Sequence, residues 1–180
     1  TALLNLDKAI ALMPSNAEAH MWKGWASRRA GFWNQAVDSM QMAIKLNPRV
    51  VLNLLETGQT LSYLGRYEEA LKPIEAAYKL EPDSYWAKSY LAELMLTVNG
   101  DTDRASTLMV GAQHTNDMGF LNRYWYVQMV TGHFDADLDI AQKCSSDWEI
   151  DVVSIKLREN LIAMYMQALG RNAEAMVSSN

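Results

Sequence analysis

Three sets of like residues recur at an interval of 34: Ala2, Ala36 and Ala70; Ala9, Ala43 and Ala77; Pro14, Pro48 and Pro82. Small residues inside a helical pattern, with a proline closing each unit, predict stacked helical hairpins, each too small to bury its apolar face alone. In such a stack every unit touches only its neighbours, and no central cleft of converging loops forms. A chain of this kind works characteristically as a surface that holds another protein. The expected fold class is all-α, an α-solenoid of antiparallel helix-turn-helix repeats.

Within the frame, residues 17–50 and 51–84 are complete units. The first helix of each carries a glycine where two helices cross closely, Gly24 and Gly58. A second glycine, Gly31 and then Gly65, ends that helix, because glycine enters the left-handed region without strain. The second helix presents alanines seven apart, Ala36 and Ala43, then Ala70 and Ala77, and stops before Pro48 and Pro82. Residues 1–16 match a second helix alone, and residues 85–118 are a third repeat with Ala92 at the crossing and Asn99-Gly100 in the turn. Residues 119–147 read as a degenerate repeat with Trp125 at the crossing, and 148–180 as a truncated one. About ten or eleven helices are expected, with a kink at Pro73 inside a second helix.

The segments Gly31-Phe32-Trp33 to Ala36 and Gly65-Arg66-Tyr67-Glu68-Glu69-Ala70, followed by Ala77 and Pro82, resemble the tetratricopeptide repeat family. The resemblance extends over nearly the whole chain. It implies a right-handed superhelix whose first helices line a concave groove. It further implies that the second, fifth, ninth and twelfth positions of each first helix face that groove. These are Glu18, Met21, Trp25 and Arg28; then Leu52, Leu55, Gln59 and Ser62; then Trp86, Ser89, Glu93 and Leu96. In the degenerate units they are Asn122, Tyr126 and Met129, and Asn160 and Met164. Rings give large contact area at small entropic cost and amides bond an extended backbone, so this mixture suits a peptide or partner segment. Some members of the family clamp a chaperone's terminal carboxylate with groove lysines and asparagines. Here Met21 and Trp25 stand at the equivalent places, so a chaperone cofactor is not expected.

Other features carry less chemistry. Trp22, Trp25, Arg28, Arg29 and Trp33 form a dense cluster, in which arginine stems are expected to cover neighbouring rings. Several of the 11 methionines, Met40 and Met109 among them, fall at core positions. Asp135, Asp137 and Asp139 alternate like the start of a calcium loop, but Ile140 stands where that loop requires glycine. His20, His114 and His133 belong to different units, and Cys144 occupies a small-residue packing position. No phosphate loop and no serine elbow is present. No catalytic site, metal site or cofactor is therefore expected.

Composition bounds the partners. The chain of 180 residues is 49% hydrophobic and 21% charged, with a net charge of −5 that argues against nucleic acid. The charge is uneven: residues 1–50 carry six basic and three acidic side chains, and residues 101–150 three basic and eight acidic ones. No apolar run reaches the length that spans a bilayer, and nothing reads as a signal peptide. One cysteine permits no internal disulfide, which points to the cytoplasm and leaves the periplasm open. Because the chain opens inside a helical pattern and stops where another helix is due, it is expected to be a piece of a longer protein.

Three functions follow as expectations. The first is an interaction scaffold that holds a peptide or a partner segment, from another protein or from its own parent chain, in the groove. The second is a regulatory segment of a multidomain bacterial signalling protein. The run Met21-Trp22-Lys23-Gly24-Trp25 after Ala9-Ile10-Ala11-Leu12-Met13-Pro14 is similar to repeats that follow bacterial nucleotide cyclase and winged-helix regulator domains. The third is self-association into a homodimer through unpaired repeat surfaces at the ends.

Overall fold

The computed structural model describes residues 2–110 and 118–132; in the last helix, the side chains of 118–122, 125 and 129 are outside that description. The expectations for Asn122 and Trp125 as side chains, for Cys144, for the aspartates near residue 137, for His114 and His133, and for residues 148–180 lie outside it. The chain forms two compact units, Thr1–Leu108 and Met109–Asn180.

Among the described residues the structure is all-helical. The helices are α1 (Ala2–Leu12), α2 (Ala17–Arg29), α3 (Trp33–Leu46), α4 (Val51–Tyr63), α5 (Tyr67–Leu80), α6 (Tyr85–Asn99), α7 (Thr102–Met109) and α8 (Met118–Thr131). Within the first unit each helix packs on the next from α1 to α6, and α4 also meets α6. The hairpins α2/α3 and α4/α5 follow the periodicity of the sequence.

Local chemistry sets the boundaries. Asn16 caps α2 by accepting the Ala19 amide at 3.0 Å, and Ser84 caps α6 by accepting the Ala87 amide. At the other end Gly31 and Gly65 take φ of +83° and +71°. That turn lets the Phe32 amide reach the Ser27 carbonyl at 2.9 Å and the Arg66 amide reach Leu61 at 3.0 Å. Helices α3 and α5 end at Leu46 and Leu80, two residues before Pro48 and Pro82. Pro73 lies within α5, and the helix runs on past it to Leu80. Replacing Gly65 by alanine should destabilise the fold by about 1 kcal/mol, since a Cβ is strained at this φ although the space around it is open. Thermal unfolding checks this, and an unchanged midpoint would contradict it.

The hairpins close over their small residues. Ala36, Met40 and Ala43 of α3, and Ala70, Ile74 and Ala77 of α5, are all fully buried. A Cβ on Gly24 would lie 2.5 Å from Met40 Cγ, and one on Gly58 the same 2.5 Å from Ile74 Cγ1. Both distances are far inside van der Waals contact. The two crossings are thus built alike: a long side chain on the second helix fills the space left by a glycine on the first. In α6 the corresponding Ala92 is itself completely buried.

Candidate functional site

The first helices α2, α4 and α6 carry the predicted groove positions of the three regular repeats. Side chains pair between successive helices through a repeated rung. The Trp25 indole Nε1 donates to Glu56 Oε2 at 3.1 Å, and the Gln59 amide donates to the Tyr90 hydroxyl. Gln59 and Tyr90 each lie 34 residues after their counterparts Trp25 and Glu56. The same geometric contact is therefore made twice with different chemistry.

Arg28 strengthens the first rung. Its Nη2 donates to Glu56 Oε2 at 2.8 Å and its Nη1 to Thr60 Oγ1 at 2.9 Å. Both charged side chains are about four-fifths covered, with relative exposures of 21% and 23%. At that burial the pair is screened less than one on the surface, and its directional bonds fix the spacing of α2 and α4. Thr60 in turn donates to the Glu56 carbonyl at 2.7 Å, so the network is closed on itself.

The predicted residues divide by depth. Met21, Leu55 and Ser89, one position in three successive repeats, are buried at 2%, 9% and 0% exposure. Met21 packs with Met40, Ala43 and Trp25. Trp25, Arg28, Gln59, Trp86 and Glu93 are half-buried, and Leu52 is exposed. Trp86 stacks on Tyr90 with ring centres 5.9 Å apart, while Trp22, itself half exposed, meets Trp25 edge-on at 4.8 Å. Tyr126 stands exposed on α8, in the second unit. The Arg28 guanidinium is held by Glu56 and Thr60.

Sequence reasoning missed Glu56, Thr60 and Tyr90, which bind the helices to each other. Their only signal was spacing. They stand 31 or 32 residues after a donor, slightly less than one repeat, which is the offset between neighbouring first helices. Among the described residues no group of three or more His, Cys, Asp or Glu can hold a metal ion, and no helix is long and apolar enough to cross a membrane.

The geometry has close parallels in solved structures. A tetratricopeptide repeat protein from Parabacteroides merdae matches with a TM-score of 0.75 at 18% identity, covering 98% of this chain and 69% of that one. The pilF protein of Pseudomonas aeruginosa gives 0.75 at 16% identity, over 97% of this chain and 78% of that one. YrrB, a tetratricopeptide repeat protein with an unusual peptide-binding site, gives 0.69 at 12% identity, over 96% and 88%. The curated Protein STIP1 homolog of Dictyostelium discoideum is 28% identical over 122 residues, which are 67% of this chain and 22% of that protein. This chain thus spans less than a quarter of that relative's length. No protein-family model matches the chain. The fold is that of the tetratricopeptide repeat, as the motif around Gly31 and Gly65 implied.

Proposed function

We propose that the chain is a protein-interaction scaffold, and that the face formed by α2, α4 and α6 holds an extended segment of a partner. The repeats, framed as 17–50, 51–84 and 85–118, wind as a right-handed superhelix with these helices inside. The observation that carries the reading is the half-buried line of Trp25, Gln59, Trp86 and Glu93, in which Trp25 and Gln59 are bonded to the next first helix and Trp86 stacks on Tyr90 of its own helix. Preorganised rings and amides of this kind lose little entropy when a partner arrives. Buried Met21, Leu55 and Ser89 form the floor, while Leu52 offers an apolar contact at the rim. The peptide-binding site of YrrB, on a similar fold, supports the same use here.

The test is selection of peptides from a phage-displayed library, followed by titration against the double variant Trp25→Ala/Trp86→Ala. Loss of the two rings should weaken the selected peptides by about tenfold or more, as expected where aromatic anchors dominate an interface. Circular dichroism verifies that the variant is folded. Undiminished binding by a folded double variant would rule out this face.

A further inference from the structure

A second cleft lies between the second helices α3 and α5, with α4 as its floor. Its volume is about 340 Å³, enough for one large side chain together with its backbone. Leu54 and Leu61 form the floor, and Ile44, Pro73 and Ala76 contribute apolar walls. Thr57, also in the floor, has its hydroxyl committed to the Asn53 carbonyl at 2.7 Å. The interior of the cleft is therefore apolar.

Two polar features stand at its α5 wall. Proline has no amide hydrogen, so Pro73 leaves the Glu69 carbonyl, four residues earlier, without its helical donor. Glu69, Pro73 and Ala76 follow one another along a single stripe of α5, and all three line the cleft. The acceptor that has lost its i+4 donor therefore lies along that lining stripe. The second feature is charge. Both carboxylate oxygens of Glu69 are engaged by Arg66, at 2.7 Å each, whereas Lys72 makes no ion pair among the described residues. The cleft wall thus offers an ammonium in no close ion pair, beside an acid that Arg66 holds by both oxygens and that Lys72 favours only at longer range.

We propose that this cleft binds the C-terminal residue of a partner polypeptide ending in an aliphatic or aromatic side chain. One such residue matches all three features. Its side chain enters the apolar interior, its amide N–H donates to the Glu69 carbonyl, and its terminal carboxylate meets Lys72. The charge of the cleft selects a carboxylate over an internal peptide segment, and the orphan carbonyl selects a peptide over a simple fatty acid. The site is independent of the α2, α4 and α6 face.

Calorimetric titration of the whole chain with acetyl-Ala-Ala-Leu tests this, beside its C-terminal amide and its N-methyl-leucine analogue. The free acid should bind at millimolar concentration or below, the amide about tenfold more weakly and the N-methyl peptide about fivefold more weakly. Lys72→Gln should remove the preference for acid over amide. Pro73→Ala restores the helical donor to Glu69, so it should weaken the acid about fivefold while raising the unfolding temperature. Absence of binding, equal binding of acid and amide, or full affinity in a stabilised Pro73→Ala variant would each overturn the proposal. So would equally tight binding of hexanoate, which has the carboxylate and the apolar body but no amide.

Discussion

Exchange of Ile74 for alanine is expected to lower stability by about 3 kcal/mol. Ile74 is completely buried and its side chain occupies the space where Gly58 has no Cβ. Buried alanines on the same helix, Ala70 and Ala77, cannot expand to fill the void. The reciprocal change is informative. Gly58→Ala favours the helix intrinsically by up to about 1 kcal/mol. Its new methyl, however, strikes Ile74 and approaches the Ala70 carbonyl to 3.3 Å, so a net loss of about 1 kcal/mol or more is expected. In the double variant the methyl enters the space vacated by Ile74, and the two losses should fail to add by about 1 kcal/mol. Denaturant unfolding of the four proteins measures the coupling. Strict additivity would show that the crossing is not a fitted pair.

The second large effect is expected at Glu56. Its carboxylate accepts from both Arg28 and Trp25, and removal leaves two donors in a largely covered position. Glu56→Ala should therefore cost about 2 kcal/mol, and Glu56→Gln less, since an amide oxygen can still accept. The Trp25 indole proton resonance provides a direct readout and should shift in both variants. If stability and that resonance are unchanged in Glu56→Ala, the rung does not hold α2 against α4. The contrast is Arg66 with Glu69, a bidentate pair of good geometry on the surface. Hydrogen bonding from Arg66 holds the Glu69 carboxyl below its ordinary range. Whatever this contributes is present above the unfolded carboxyl's range and is lost as pH falls through the lowered value. At the surface, solvent screening leaves little of it to lose.

Backbone architecture was legible because it depends on residues that must repeat. Gly24 and Gly58 meet the same steric demand, Gly31 and Gly65 the same dihedral demand, and Ala36, Ala43, Ala70 and Ala77 the same limit on helix spacing. The contacts between repeats were not legible by the same logic. A rung needs only a donor and an acceptor, which Trp25 with Glu56 and Gln59 with Tyr90 supply in different ways. No identity recurs for a periodic reading to find. Depth was likewise hidden. Met21, Leu55 and Ser89 share a position and a buried environment although they differ in size and polarity. Pro73 was expected to lie inside a second helix and kink it, and it does lie inside α5, which continues for seven residues after it. A proline removes one donor, but packing of Ile74 and Ala77 holds the next turn in place.

Unlike rungs on like backbones make the order of the repeats irreversible. Excision of residues 51–84 would join two compatible frames and leave the main-chain geometry undisturbed. It would also set Trp25 against Tyr90, and bring Arg28 to Tyr90 and Leu94 in place of Glu56 and Thr60. The guanidinium would then lose its carboxylate partner and keep at most the Tyr90 hydroxyl as an acceptor. A duplication of the same segment would set Gln59 against a second Glu56. Units that began as interchangeable copies are now addressed to particular neighbours, so slippage during recombination no longer yields an equivalent protein.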